Sequence, residues 1–483
     1  MKSHTFTSTG ELNLGKLLER HPELQIDRDN YNINVTANYG AKLSSEELFQ
    51  RYVEHDGYGK PAHLYFHVPL CSYICHFCNY VKKLLPNKEG NDEILNEWTH
   101  LLIEESNRYL ARVPWLPKAR IESFYIGGGT GSLLKAEQLS KIMDHVRENY
   151  YLTPDCEISL EGNPDNYQND ELEQAISLGF NRFSVGVQSL QDEVNQFVGR
   201  KHDSKMSLDA INKLLATEKP FNVDIMFGLP FQTPQSVAND IRVLCELGVP
   251  TITIYRLRNA DRQSMGIGNR SLWNVPKHRE RLEREGLFPT LDETYQMREA
   301  VLQVFLEFGY HPSPCGWWSK PGVYPEGNIP RVSRNKWQRY DSMIAFGPGA
   351  YGWLTGGKNE ILQTHNISDI NAYVEHMKES KQVPLSFGRN LTEHEAVSTT
   401  LGFNFKSNQP IVFKRYLEQF GVDLLSDAPY KDVFEDLRSK GLIEQTSDAF
   451  IPTLDGESLH EEIISVYLHQ RIGSFSEPIC RRV

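Results

Sequence analysis

Residues 63–80 read HLYFHVPLCSYICHFCNY. Leu64 to Val68 is an apolar, strand-like run, and Pro69 ends it because proline cannot donate to a ladder hydrogen bond. Cys71, Cys75 and Cys78 follow with the spacing C-x3-C-x2-C. They sit on the loop leaving the strand's carboxyl end, close enough to converge on one metal centre. A structural zinc site takes four ligands, so zinc here needs His67 or His76 as the fourth. An iron–sulfur cube is normally held by four thiolates, so three leave one iron open to a substrate or cofactor. A chance grouping is the third reading, since spacing alone has false positives.

Outward from this stretch, short β-branched or aromatic runs alternate with longer helical patterns. The expected strands are 63–68, 122–126, 157–161, 182–187, 222–227 and 251–255. The expected helices between and after them are 92–110, 136–149, 170–178, 204–216, 234–247 and 291–308. Thr233-Pro234 is an N-cap followed by proline at the first helical position. Thr290 and Glu293 have capping-box spacing. Such alternation gives a parallel sheet with crossover helices. Six units read as an incomplete β/α barrel of class α/β.

Polar residues fall at or near the carboxyl ends of those strands. The cysteine loop follows the first, and Gly127-Gly128-Gly129-Thr130 the second. Glu161 ends the third, Gln188 follows the fourth, and Asp224 lies in the fifth. Tyr255 and Arg256 end the sixth. In barrels of this type those ends share one mouth, where chemistry sits. The glycines let a backbone approach a ligand closely, or simply make a tight strand-to-helix turn. Glu161 and Asp224 need partners if buried. A ligand ammonium or ribose diol would serve Glu161, as would a structural salt bridge with Arg182 or Arg200.

The net charge of −12 argues against nucleic acid or an anionic membrane as the main partner. No apolar run is long enough to span a bilayer, and the N-terminus lacks an apolar signal core. Seven cysteines, three of them clustered, do not form a secreted disulfide pattern, so a cytoplasmic location is expected.

The flanks divide into three expected units: an arm at 1–60, the barrel with its extension at 61–357, and a C-terminal domain at 358–483. In the arm, 44–55 reads as a helix and the asparagine-rich 30–39 as an exposed turn-rich segment. Residues 258–286 read as a polar insertion. Residues 311–327 read as a loop in which Trp317 and Trp318 either stack a substrate or pack under the barrel; Cys315 is a lone thiol. Residues 346–352 (FGPGAYG) form a glycine turn that brings Tyr351 near the rim. Beyond 358 the expected elements are helices at 367–378, 391–403 (capping box Thr392/Glu395), 411–421 and 430–441, and a strand pair at 443–446 and 449–452. They suggest a winged-helix-like module without a basic face, with a mobile tail from 472.

Together YFHVPLC-x3-C-x-F-C, GGGTGSLL, ISLEGNP, RFSVGVQSLQDEV, VDIMFGLPFQTP and FGPGAY resemble the radical S-adenosylmethionine (SAM) superfamily, in its oxygen-independent coproporphyrinogen III oxidase-like branch. The resemblance covers nearly the whole chain. It implies that Cys71, Cys75 and Cys78 hold a [4Fe–4S] cluster. It implies that SAM is bound by Tyr65, Phe77, Gly128 and Glu161, and a second SAM by Gly129, Thr130, Gln188, Arg200 and Asp224. Arg256 or Arg258, and Tyr351, are expected at the same mouth. Tyr65, Glu161, Gln188, Arg200 and Asp224 carry the expected catalytic roles.

The chain also departs from the porphyrinogen oxidases. They carry a further cysteine where this chain has Tyr80, and a tyrosine–serine–tyrosine–proline pattern where it has residues 34–39. The resemblance therefore points to the class C radical SAM methyltransferases. These would C-methylate, or transfer methylene to, an sp2 carbon of an aromatic or conjugated small molecule, some making cyclopropanes. Oxidative decarboxylation of coproporphyrinogen III and haem carriage are the alternatives. An electron donor such as flavodoxin or ferredoxin is implied.

Overall fold

The computed structural model describes residues 8–26, 39–86, 91–257, 276–313, 316–323, 329–338, 341–356 and 360–475. Six parallel strands form its centre: Pro61–Val68, Arg120–Gly128, Leu152–Gly162, Arg182–Gln188, Phe221–Phe227 and Thr251–Arg256. They pair in chain order, first to sixth. Every expected strand and crossover helix is present with its ends shifted by a few residues. Thr233, Thr290 and Thr392 each cap a helix with their side chains, as their spacing predicts.

The first strand shows what positions the site. Leu64, Phe66 and Val68 are buried in the main core, where helices cover the sheet. His63, Tyr65 and His67 point to the other face, into the barrel. At 63 and 67 that interior is polar and closed: His63 contacts Ser123 Oγ at 2.7 Å and Asp341 Oδ2 at 3.2 Å.

The sheet does not stop at six strands or at residue 357. Ser342–Phe346 adds in parallel beside the first strand. Tyr351–Gly356, Glu360–Asn366, Leu385–Asn390 and Ala41–Leu43 then follow in antiparallel order. At the opposite edge Trp317–Ser319 pairs with the sixth strand and with His311–Ser313. The tryptophan loop is therefore an edge hairpin, and its substrate-stacking role falls away. Trp318 is 1 % exposed and stacks on Phe305 with centroids 4.9 Å apart. The added strands escaped sequence reading because most are short, and pairing rather than periodicity defines them.

Beyond the extension, helix Glu393–Lys406, a three-stranded sheet and helices Phe413–Phe420 and Tyr430–Ser439 make the winged module. Its core takes in Met343 and Trp353 from the extension. The expected tail does not begin at 472, because Ile472 is buried in the terminal helical segment Ile463–Gly473. Residues 30–38, 258–275 and Cys315 lie outside the described residues.

Arg256 ties this module to the barrel rather than reaching the cysteine loop. Its guanidinium donates to Ile26 O at 2.7 Å and pairs with Glu462 at 3.4 Å. Arg298 holds the other Glu462 oxygen at 2.9 Å, and Tyr295 donates to Glu462 at 3.0 Å. Burial alone would raise the Glu462 carboxyl, but the two guanidiniums more than offset it and hold it below the usual range. Glu462→Gln leaves two buried cations without their counter-charge. It should cost about 3–5 kcal/mol, read in a denaturant titration. Wild-type stability for this variant would show that the network contributes little.

Candidate active site

Pro69 releases the chain from the first strand, and the loop then folds against itself. Leu70–Cys71 pairs with Lys83–Leu84, and Leu85 N–H donates to Cys71 O at 2.8 Å. Lys82 Nζ donates to the carbonyls of Cys78 and Tyr80 at 2.8 and 3.2 Å. His76 N–H donates to Val198 O, and His76 Nδ1 lies 2.9 Å from Phe197 O. The cysteine loop is thus pinned to the segment after the fourth strand.

Two of the sulfurs lie beside polar groups from the segments that follow other strands. Arg200 donates to Cys75 Sγ at 3.4 Å, and Thr130 Oγ1 lies 3.8 Å from Cys71 Sγ. Burial, and next the neighbouring Cys78, pushes the Cys71 thiol up to about 12. Burial raises Cys78 as well. Such thiols are protonated at neutral pH, so a metal must displace protons to bind. The zinc reading loses His67 as its fourth ligand. Both His67 nitrogens are engaged, Nε2 with Val81 O at 2.8 Å and Nδ1 with the Tyr65 hydroxyl at 3.2 Å. Among the described residues no three His, Cys, Asp or Glu side chains converge as ligands of one ion. Three thiols on one loop, each serving a separate iron, fit a cluster with an open corner.

The glycine turn closes the second strand onto this loop. Gly128 has φ +110°, and a Cβ there would stand 2.6 Å from His67 Nδ1. A Cβ on Gly127 would stand 2.3 Å from Glu161 Oε2, so the carboxylate lies directly over bare backbone. Gly128 N–H donates to that oxygen at 3.2 Å. Burial, then repulsion from Asp224, pushes the Glu161 carboxyl up to about 7.

Around these, Arg200 donates to Asn163 Oδ1 at 3.0 Å, to His202 Nε2 at 2.9 Å and to Gly186 O. Gln188 holds the left-handed conformation at φ +70°, a rarity for a residue with a side chain. Asp224 accepts from Asn222 at 2.7 Å and from Ser184 at 3.4 Å; burial, partly offset by Thr253, raises it to about 6. Burial, and next the Glu161 carboxylate, holds the Tyr65 phenol well above its ordinary value, and the Tyr65 ring lies 5.9 Å from that of Tyr125. Phe77 packs against the cluster of Val198 and Met226. Most of the expected site residues therefore meet at one mouth, whereas Arg256 is committed to the internal ion pairs. Sequence reading missed Asn163, which contacts both Thr130 and Arg200. The Asn-Pro of ISLEGNP reads as a turn, and nothing in it foretells where the amide points.

A partial β/α barrel with a three-thiol loop at its carboxyl mouth defines a class. The pattern of the Radical SAM superfamily matches residues 65–244. Over that segment the chain is similar to the radical SAM superfamily, and the relatives it matches are HemW- and HemN-type proteins. It is 26% identical over 410 residues to the heme chaperone HemW of Bacillus subtilis (strain 168), covering 84% of this chain and 98% of that protein. It is 31% identical to the oxygen-independent coproporphyrinogen III oxidase of Salmonella typhimurium, over 48% of this chain and 52% of that one. The fold is that of the Escherichia coli coproporphyrinogen III oxidase HemN: TM-score 0.73 at 20% identity, covering 92% of this chain and 99% of HemN. The expected closeness to class C methyltransferases finds no support in these matches. No helix among the described residues is long and apolar enough to cross a membrane.

Proposed function

We propose that this radical SAM enzyme acts on a tetrapyrrole. The observation that carries the proposal is the extent of the relationship to HemW, which reaches well past the superfamily's shared barrel segment. When bound at the three thiols, a [4Fe–4S] cluster and SAM supply a 5′-deoxyadenosyl radical for hydrogen abstraction. The chain's own residues do the positioning. Cys71, Cys75 and Cys78 hold the cluster, with Arg200 donating to the Cys75 sulfur and Thr130 beside Cys71. Glu161 and the backbone of Gly128 receive the polar end of SAM, and Tyr65 walls the space between SAM and substrate.

The test is anaerobic incubation of reconstituted protein with SAM and either coproporphyrinogen III or haem. Formation of 5′-deoxyadenosine that rises with tetrapyrrole supports the proposal. Release of carbon dioxide from coproporphyrinogen III would assign decarboxylation. Stoichiometric haem binding without SAM cleavage would assign carriage. If neither compound binds nor changes SAM turnover, the tetrapyrrole proposal is wrong.

A second reading keeps a conjugated substrate but uses a second SAM for C-methylation. It is favoured by Thr130, Gln188, Arg200 and Asp224, which lie on or after the second, fourth and fifth strands, on both sides of the third strand's Glu161. Methyl-deuterated SAM separates it: deuterium in neither the deoxyadenosine nor the product removes it.

A further inference from the structure

The guanidinium beside the cysteine loop is held at each of its nitrogens. Arg200 Nη1 donates to Cys75 Sγ at 3.4 Å. Nη2 donates to Asn163 Oδ1 at 3.0 Å and to Gly186 O. Nε donates to His202 Nε2 at 2.9 Å. The Tyr73 ring lies 5.5 Å from the guanidinium carbon, and the Tyr73 hydroxyl donates to Asp165 Oδ1 at 3.1 Å. Tyr73 and Cys75 belong to one loop, so this side chain ties that loop to the segments after the third and fourth strands.

His202 fixes the direction of that guanidinium. A guanidinium only donates, so His202 Nε2 is the acceptor and Nδ1 carries the proton. Nδ1 donates to Ser207 Oγ at 3.0 Å, and the Ser207 hydroxyl donates to Asp203 O at 2.9 Å. Burial, and next the Arg200 charge, pushes the imidazole down to about 3, so it stays neutral and keeps its accepting lone pair. The relay ends on a helix start that is itself fixed. Asp203 caps the helix Ser204–Ala216 by accepting from Met206 N–H at 2.7 Å, and Ser204 N–H donates to Asp192 at 2.7 Å. Arg200, His202 and Ser207 are all buried.

We propose that His202 is a positioning residue that aims Arg200 at the Cys75 sulfur and thereby raises the reduction potential of the cluster held there. Reduction adds one negative charge, shared with the thiolate sulfurs. A cationic N–H against one of those sulfurs stabilises the reduced form more than the oxidised one. Burial strengthens the effect, because little water screens it. Without His202 the Nε–H of a buried cation has no acceptor. That is costly, so Arg200 turns to find another partner and Nη1 leaves the sulfur. The inference rests on the cluster of the proposed function and not on its tetrapyrrole.

Its test is a redox titration of the full chain with its cluster reconstituted, with dithionite supplying the electron and neither SAM nor tetrapyrrole present. Electron paramagnetic resonance counts the reduced cluster. His202→Leu should be about tenfold harder to reduce, a midpoint about 59 mV more negative for one electron. Arg200→Met should fall at least as far. His202→Gln should stay near wild type, because its amide oxygen can accept from Arg200 Nε. A wild-type midpoint in His202→Leu or in Arg200→Met overturns the proposal. So does a His202→Gln midpoint as low as that of His202→Leu, since packing alone would then explain both. A His202→Leu protein that folds but loads no cluster also overturns it, because the pair would then hold the loop rather than tune the cluster. Where His202→Leu does not fold, Ser207→Ala decides: a lower midpoint supports the relay and an unchanged one refutes it. Wild type that takes up no cluster removes the cluster reading itself, and the proposal with it.

Discussion

Cys75→Ala is expected to give a folded protein that loads no cluster and forms no 5′-deoxyadenosine. Three thiolates are the minimum that can hold a cube and still leave a corner open, so two cannot retain it. Folding should survive because the loop is fixed by contacts that do not involve this sulfur. Leu85 N–H to Cys71 O, His76 N–H to Val198 O and the Lys82 pair all remain. The readouts are iron and sulfide content, visible absorbance and product formation, alongside a thermal melt. Cys245→Ala is the control: that thiol is buried in the main core, away from the loop, so iron content should not change. Full iron loading and SAM cleavage by Cys75→Ala would mean that another residue supplies the third ligand.

Glu161→Gln should weaken SAM binding by about 10–100-fold and flatten its pH dependence. The side chain keeps its size over Gly127 but loses the charge that would pair with the SAM ammonium. The sign of the pH effect follows from the raised carboxyl. At about 7, Glu161 is protonated in mildly acidic solution when no ligand is bound. A cationic ligand needs it ionised, so wild-type affinity should rise with pH up to about 7 and then level off. Stability without ligand runs the other way. A raised folded-state value stabilises fully below the unfolded value, and that contribution is lost as pH rises through about 7. Asp224, raised to about 6, adds to the same trend. Wild-type melting temperature should thus fall from pH 5 to 8, and the Gln variant's should fall less. Isothermal titration with SAM and melts across that range check both. An unchanged SAM affinity in Glu161→Gln would remove this carboxylate from the site.

Several elements were legible because local chemistry specifies them. Proline after an apolar run ended the first strand. Threonine three residues before glutamate opened the helices at Leu291 and Glu393. Period and length separated strands from crossover helices, and six repeats fixed the barrel. The strands beyond the central six were less legible. Trp317–Ser319 and Ser342–Phe346 are short strands whose existence depends on a partner far away in the chain. The same limit applied to Arg256. Its place at a strand end was readable, but its direction is set by Glu462, 206 residues later.

The chain's sequence by itself determined the barrel, the three thiols and the strand ends that surround them, since spacing and periodicity are local properties. Tertiary structure alone decided what each polar side chain faces. It placed Arg200 against Cys75 and Glu161 over bare glycine backbone. It turned His67 away from any metal and committed Arg256 to an internal ion pair. The reason is physical: cross-strand register joins residues hundreds of positions apart, and no local pattern encodes that pairing.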